Sequence, residues 1–200
     1  MTEYEQKIMR KMEESGRCPV CHLIDNEEFD MLSRVQYDVT HSPEVREAIV
    51  NEGGFCEFHF RQFRKIANAK SNGLLMIAMV EHYSRPENAL KLECRFCAYL
   101  DGIERNLLEA MLSLLEDITF REKYDRHTGL CLGHLDAVIR RTNQVELKEW
   151  LISTQREQMK REIPYLEQMA TQSYYDTSNA ARGSLVRTVE KFVGRRTLSM

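Results

Sequence analysis

The chain has 200 residues, 28 basic and 31 acidic side chains and a formal net charge of -3, so no global field draws it to nucleic acid. Its apolar runs are short, the longest being the Met-rich stretch Leu74 to Val80, and none can span a bilayer. The opening Met1-Thr2-Glu3-Tyr4-Glu5-Gln6 is acidic and polar, the opposite of a secretory signal, which predicts a cytoplasmic protein with reduced thiols.

Four prolines, nine glycines and no alternating apolar run predict an all-α chain. Residues Glu3 to Glu14 read as a first helix. Cys18-Pro19-Val20-Cys21 follows, with Pro19 expected to fix a tight turn, and then a helix whose apolar face is Ile24, Met31, Leu32, Val35 and Val39. Ser42-Pro43-Glu44 starts a short helix, with a capping serine, a proline at the first helical position and an acid in the first turn. That helix stops at Gly54, and Cys56 opens a third with Phe60, Phe63 and Ile66 on its apolar face. Ser71-Asn72-Gly73 reads as a turn before a fourth helix over 74–83, where the Met-rich stretch is expected in the core.

The same order then returns. Cys94-Arg95-Phe96-Cys97 precedes a helix whose face is Leu100, Ile103, Leu107, Leu108, Met111, Leu114, Leu115 and Ile118. Asp117 caps a short helix that ends at Gly129, and Cys131 opens a helix with Leu135, Val138 and Ile139 on one side. Thr142-Asn143 marks a turn, and a long helix runs from Val145 past Trp150 and Leu166 with a kink at Pro164. A polar stretch, 172–183, leads to a basic helix near 185–193. The expected architecture is a tandem helical repeat of about 75 residues closed by a C-terminal helix pair. Its segments are 1–92, 93–171 and 172–200.

All six cysteines fall into this repeat. Cys18 and Cys21 are followed after 34 residues by Cys56 and His59, and Cys94 and Cys97 after 33 residues by Cys131 and His134. Each copy offers three thiolates and one imidazole, the donor set of a closed tetrahedral site, most simply Cys3His zinc. Cys56 with His59, and Cys131 with His134, sit one helical turn apart at a helix start, where the dipole favours thiolate. The expectation is two Zn2+ per chain, each held within one copy because that closes the shorter loop. Such sites are closed, with no coordination position left for catalysis, so no catalytic residue is assigned.

An iron–sulfur cluster is the competing cofactor, because Cys3His can hold one. Cys18-Pro19-Val20-Cys21-His22 also matches a haem-attachment string, but the second copy has Ala98 in place of the histidine. A redox CxxC would need a βαβ setting that an all-α chain lacks. His22, His41, His82 and His127 do not recur between the copies and are read as ordinary surface or loop residues.

The motifs CPVC with GGFCEFH and CRFC with GLCLGH resemble those of an uncharacterised prokaryotic family, a domain of unknown function with tandem CPxC…GFCxxH signatures. The resemblance covers residues 10 to 195 and maps the family's ligands onto the eight cysteines and histidines just named, without implying an activity. The expected role is a metal-stapled scaffold for a protein partner or a second copy, with Trp150 on the docking helix and Tyr174, Tyr175 and Asp176 as a docking segment. A nucleic-acid regulator is the other reading. It rests on Arg182, Arg187, Lys191, Arg195 and Arg196, opposed by Glu190, and such a cluster is read as a solvated helix face.

Overall fold

The computed structural model describes residues 1–88, 94–173 and 176–194, so Tyr174, Tyr175, Arg195 and Arg196 lie outside the described residues. Described segments are helical or connecting, in the order α1 (Glu3–Glu14), α2 (Pro19–His41), α3 (Pro43–Asn51), α4 (Glu57–Ile66), α5 (Ala69–Tyr83), α6 (Arg95–Leu115), α7 (Ile118–Arg126), α8 (Leu132–Arg141), α9 (Val145–Lys160), α10 (Ile163–Thr171) and α11 (Asn179–Val193). Among them no strand occurs, and no helix is long and apolar enough to cross a membrane.

Local chemistry sets these boundaries. Thr2 and Glu5 form a reciprocal capping box at the start of α1, Thr2 Oγ1 accepting the Glu5 N–H at 3.2 Å and Glu5 Oε2 accepting the Thr2 N–H at 2.6 Å. Ser42 and Asp117 cap α3 and α7 through their side chains, as the sequence predicts. The turn expected at Ser71-Asn72-Gly73 is instead helical. Asn68 caps α5 by accepting the Ser71 N–H at 2.9 Å, which pulls those turn formers into the first turns of the helix. Pro164 does not kink one long helix but sits at the start of a new one, where its missing N–H costs nothing. Likewise Ser178 caps α11 earlier than the polar composition of 172–183 suggests.

The chain divides into two compact units, Met1–Asp25 with Glu104–Met200, and Asn26–Ile103. These do not follow the segments 1–92, 93–171 and 172–200. The chain passes from one unit to the other inside α2 and again inside α6.

In the unit Asn26–Ile103 the core gathers Leu32, Val35 and Val39 of α2 with Ile49, Phe63, Leu75 and Phe96. Phe55 joins them, its ring 4.7 Å from that of Phe96 and 5.6 Å from that of Phe63. The Met-rich stretch is only half core: Leu75 is buried, while Met76, Ile77 and Val80 are exposed.

In the other unit, Leu107, Leu108, Met111 and Leu115 of α6 are buried with Ile8, Phe120, Tyr124, Val138 and Leu151. Ile118 falls beyond α6, opens α7 and is exposed. Trp150 is partly buried, its ring tilted against that of Tyr124 at 5.7 Å with the Arg121 guanidinium 5.5 Å from its ring centre, so most of it serves the fold.

The basic helix reverses its expected orientation. α11 packs against α10 and α8 with its polar side inward: Arg187 grips Glu162 with two nitrogens at 3.2 and 2.9 Å, Arg182 donates to the Thr177 carbonyl, and Lys191, only 5% exposed, donates to the Thr128 carbonyl. Glu190 pairs with Arg17 at 2.8 Å. Ion pairing with these inner partners overrides amphipathic patterning and leaves Leu185, Val186, Val189, Phe192 and Val193 facing solvent.

Candidate metal centres

Each C-x-x-[C/H] pair stands at a helix start. Cys18, Cys56, Cys94 and Cys131 immediately precede α2, α4, α6 and α8, and each carbonyl accepts the N–H four residues on: His22, Phe60, Ala98 and Leu135. The second member of each pair is therefore one turn further, on the same face. CPVC is thus a helix start with Pro19 at the first helical position and not a separate tight turn. The arginine at the matching place in CRFC changes little for that reason.

The pairs meet across the copies, which corrects the expected wiring. Cys18, Cys21, Cys131 and His134 form one cluster, and Cys56, His59, Cys94 and Cys97 the other, each with its donor atoms within 4.8 Å of one another. The first lies wholly in the unit Met1–Asp25 with Glu104–Met200, and the second wholly in Asn26–Ile103. The reason is mechanical. Loop-closure entropy favours the nearest pairing only for flexible chain, whereas α2 is a rigid rod about 34 Å long and α3, at about 14 Å, is too short to bring the chain back.

In the first cluster His134 Nδ1 lies 3.4 Å from Cys18 Sγ, 3.3 Å from Cys21 Sγ and 3.2 Å from Cys131 Sγ, and the Cys21 and Cys131 sulfurs are 3.6 Å apart. In the second, His59 Nδ1 lies 3.2 Å from Cys56 Sγ, 3.3 Å from Cys94 Sγ and 3.4 Å from Cys97 Sγ, and the Cys56 and Cys97 sulfurs are 3.7 Å apart. All six cysteines are free thiols. An ion with zinc's usual bond lengths and tetrahedral angles sets S···S edges at about 3.8 Å and S···N edges at about 3.6 Å. Both clusters come close to that size, their S···N edges somewhat shorter, and they can hold a metal ion.

Two helix N-termini converge on each cluster, so two sets of unpaired N–H groups and two positive dipole ends face three sulfurs. The His134 N–H points at Cys131 Sγ at 3.4 Å. Three thiolates and a neutral imidazole around a divalent ion leave one net negative charge, which these ends offset.

The donor groups also hold one another's protons. Burial pushes the Cys18 thiol up, but hydrogen bonds with Cys131 and Cys21 and the nearby His134 outweigh it and leave Cys18 well below the usual thiol range. Cys21 is raised by its hydrogen bonds with Cys131 and Cys18 and by burial. Burial would lower His134, yet the charge on Cys18 carries it up to about 12. In the second cluster burial again opposes ionisation, but the His59 hydrogen bond helps lower Cys94 to about 6, while burial and the Cys56 hydrogen bond push Cys97 up to about 12.

Each cluster is backed by a glycine in the left-handed region, Gly54 at φ 77° and Gly129 at φ 83°, two residues before the ligand cysteine. A Cβ on Gly129 would sit 2.1 Å from Gln158 Oε1 and 2.5 Å from Gln155 Oε1. These two buried glutamines of α9 hold the turn, Gln155 donating to the Leu130 carbonyl at 3.0 Å and Gln158 to the Tyr124 carbonyl at 2.6 Å. Around the second cluster apolar groups take that place: the Met79 methyl would be 2.7 Å from a Cβ on Gly54, and the Phe96 ring stacks on His59 at 5.2 Å.

Sequence reading missed Gln155, Gln158 and two carboxylates. Glu28 and Glu104 lie against the ring nitrogens of His59 and His134, and their common offset of 76 residues matches that of the CxxC pairs. The remaining histidines stand elsewhere. His22 Nδ1 lies 3.0 Å from Ser15 Oγ, His41 Nδ1 lies 2.8 Å from the Tyr37 carbonyl, the His82 ring packs on Tyr83, and His127 bridges the Ser15 carbonyl and the Gly129 N–H.

Fold and site together define an all-α protein with two Cys3His clusters able to hold metal ions. Residues 3–90 match the model of a family of unknown function (DUF6062), so the expected resemblance to an uncharacterised domain is found over this stretch. The matched residues include Cys18, Cys21, Cys56 and His59, half of each cluster. No curated protein and no solved structure matches the chain.

Proposed function

We propose that this chain is a zinc-stapled helical scaffold, with one structural Zn2+ held by Cys18, Cys21, Cys131 and His134 and a second by Cys56, His59, Cys94 and Cys97. The carrying observation is that four donors surround one point in each cluster at the spacing of a single tetrahedral ion. An iron–sulfur cluster spreads its ligands over several irons, and the tight spacing favours zinc over it. With four protein donors per ion no position stays open for a bound water, which supports a structural role over catalysis.

A scaffold also needs a face to offer. Val186, Val189 and Phe192 of α11, the last 59% exposed, and separately Met76, Ile77 and Val80 of α5 leave apolar side chains in water, which supports a protein partner or a second copy. Arg182, Arg187 and Lys191 are spent on inner partners, which speaks against the nucleic-acid reading. Anaerobic purification and elemental analysis test the metal. Two zinc per chain is the expected result, iron with matching sulfide replaces zinc by a cluster, and absence of metal refutes both. For the scaffold, sedimentation and partner capture by the full chain should change when Val189 and Phe192 become aspartate.

A further inference from the structure

Both ligand histidines turn Nδ1 toward the sulfurs, so a metal-ligating ring carries its proton on Nε2. On that side each ring meets a carboxylate: His134 Nε2 lies 3.2 Å from Glu104 Oε1, and His59 Nε2 lies 3.5 Å from Glu28 Oε1. Glu28 is only 7% exposed. A carboxylate buried beside three thiolates is unfavourable on charge grounds unless a donor stands between them, and an Nε2–H is placed to be that donor, although the 3.5 Å contact of His59 with Glu28 lies outside hydrogen-bond geometry without a metal.

The origin of these carboxylates is crosswise. Glu28 follows Cys21 by seven residues on α2, and Glu104 follows Cys97 by seven on α6. Yet Glu28 meets the histidine of the cluster that α6 supplies with cysteines, and Glu104 meets the histidine of the cluster that α2 supplies. Each long helix thus gives two thiols to one centre and a carboxylate to the other.

We propose that Glu28 and Glu104 are positioning residues of the metal centres, each accepting the Nε2–H of the ligand histidine opposite and so fixing the ring with Nδ1 as donor to the ion. This rests on the metal-site reading above. A carboxylate behind a ligand histidine raises the basicity of the ring and stops it turning, and its loss typically costs about 10–100-fold in metal affinity.

Cadmium titrated into the reduced full-length chain tests the proposal, because cadmium NMR reports two centres as two resonances. Glu28→Gln is expected to weaken cadmium at Cys56, His59, Cys94 and Cys97 by about 10–100-fold and to leave the other resonance unmoved; Glu104→Gln is expected to do the reverse. Glu104→Asp should recover part of the loss. Equal weakening of both centres, or weakening at the centre served by the same helix's CxxC, overturns the assignment. Unchanged affinity in both variants, with two ions bound by the wild type, overturns this inference alone, whereas a wild type that takes up no cadmium overturns the metal reading with it. Should a variant fail to fold, nitrogen NMR of the cadmium-loaded wild type decides: protons on Nε2 of His59 and His134 are expected, and protons on Nδ1 refute the proposal.

Discussion

The two clusters share donors, spacing and helix-end origin, but their cover differs. Cys18, Cys21, Cys131 and His134 are all buried; Cys56 and Cys97 are half-exposed around buried His59 and Cys94. The first has α11 packed on α8, with Gly194 close to Cys131, and glutamines hydrogen-bonded to the adjoining turn. The second is lined by Phe55, Phe96 and Met79 and, among the described residues of its unit, has no helix equivalent to α11. One donor set thus occurs once fully buried and once partly open, and any bound metal is expected to exchange faster from the second.

Ligand removal should separate them most strongly. Structural zinc is worth on the order of 10 kcal/mol to small metal modules, so Cys131→Ser is expected to lower helicity and the melting temperature more than Cys97→Ser, read by circular dichroism. Equal losses would mean the two units depend on metal alike.

Attack by a thiol reagent should come next. With the metal-loaded chain and a zinc indicator, one ion per chain is expected in a fast phase, from the centre with half-exposed Cys56 and Cys97, and one in a slow phase. A single phase would erase the distinction.

Gly129→Ala should cost about 1–3 kcal/mol in urea unfolding, because its φ is left-handed and buried glutamine oxygens block the new methyl. Gly54→Ala carries the same backbone penalty but meets a flexible Met79 tip, so a smaller loss is expected.

The smallest step is in pH. At the half-exposed centre Cys94 ionises near 6 and Cys97 near 12, so metal uptake at neutral pH displaces a proton from Cys97 and its affinity rises with pH. Below about 6 Cys94 also holds a proton, and the dependence steepens. Cobalt titrations at a series of pH values check the sign; affinity that grows on acidification would contradict it.

Much of this was legible in the residues. The caps Ser42 and Asp117, the glycines before Cys56 and Cys131, and the apolar faces of α2 and α6 gave the helices, because each depends on chemistry within one turn. The eight donors were visible because their spacing is itself local. Their pairing was not, since it depends on the unequal lengths of α2 and α3, and counting residues between ligands treats a rod as a tether. The inward turn of α11 was hidden for a similar reason: Glu162 and the Thr128 carbonyl, which draw Arg187 and Lys191, are distant in sequence.

The crosswise pairing also bears on how the metal centres depend on chain concentration. A chain bearing one copy of the pattern, such as Cys18 to His59, owns two half-sites and no whole one. It fills a centre only when two molecules meet and lend each other their halves, so its loading falls on dilution. Joining both copies in one chain replaces that encounter with an intramolecular one. If both clusters take up metal, loading of the two-copy chain is expected not to fall on dilution, as that of a one-copy chain would.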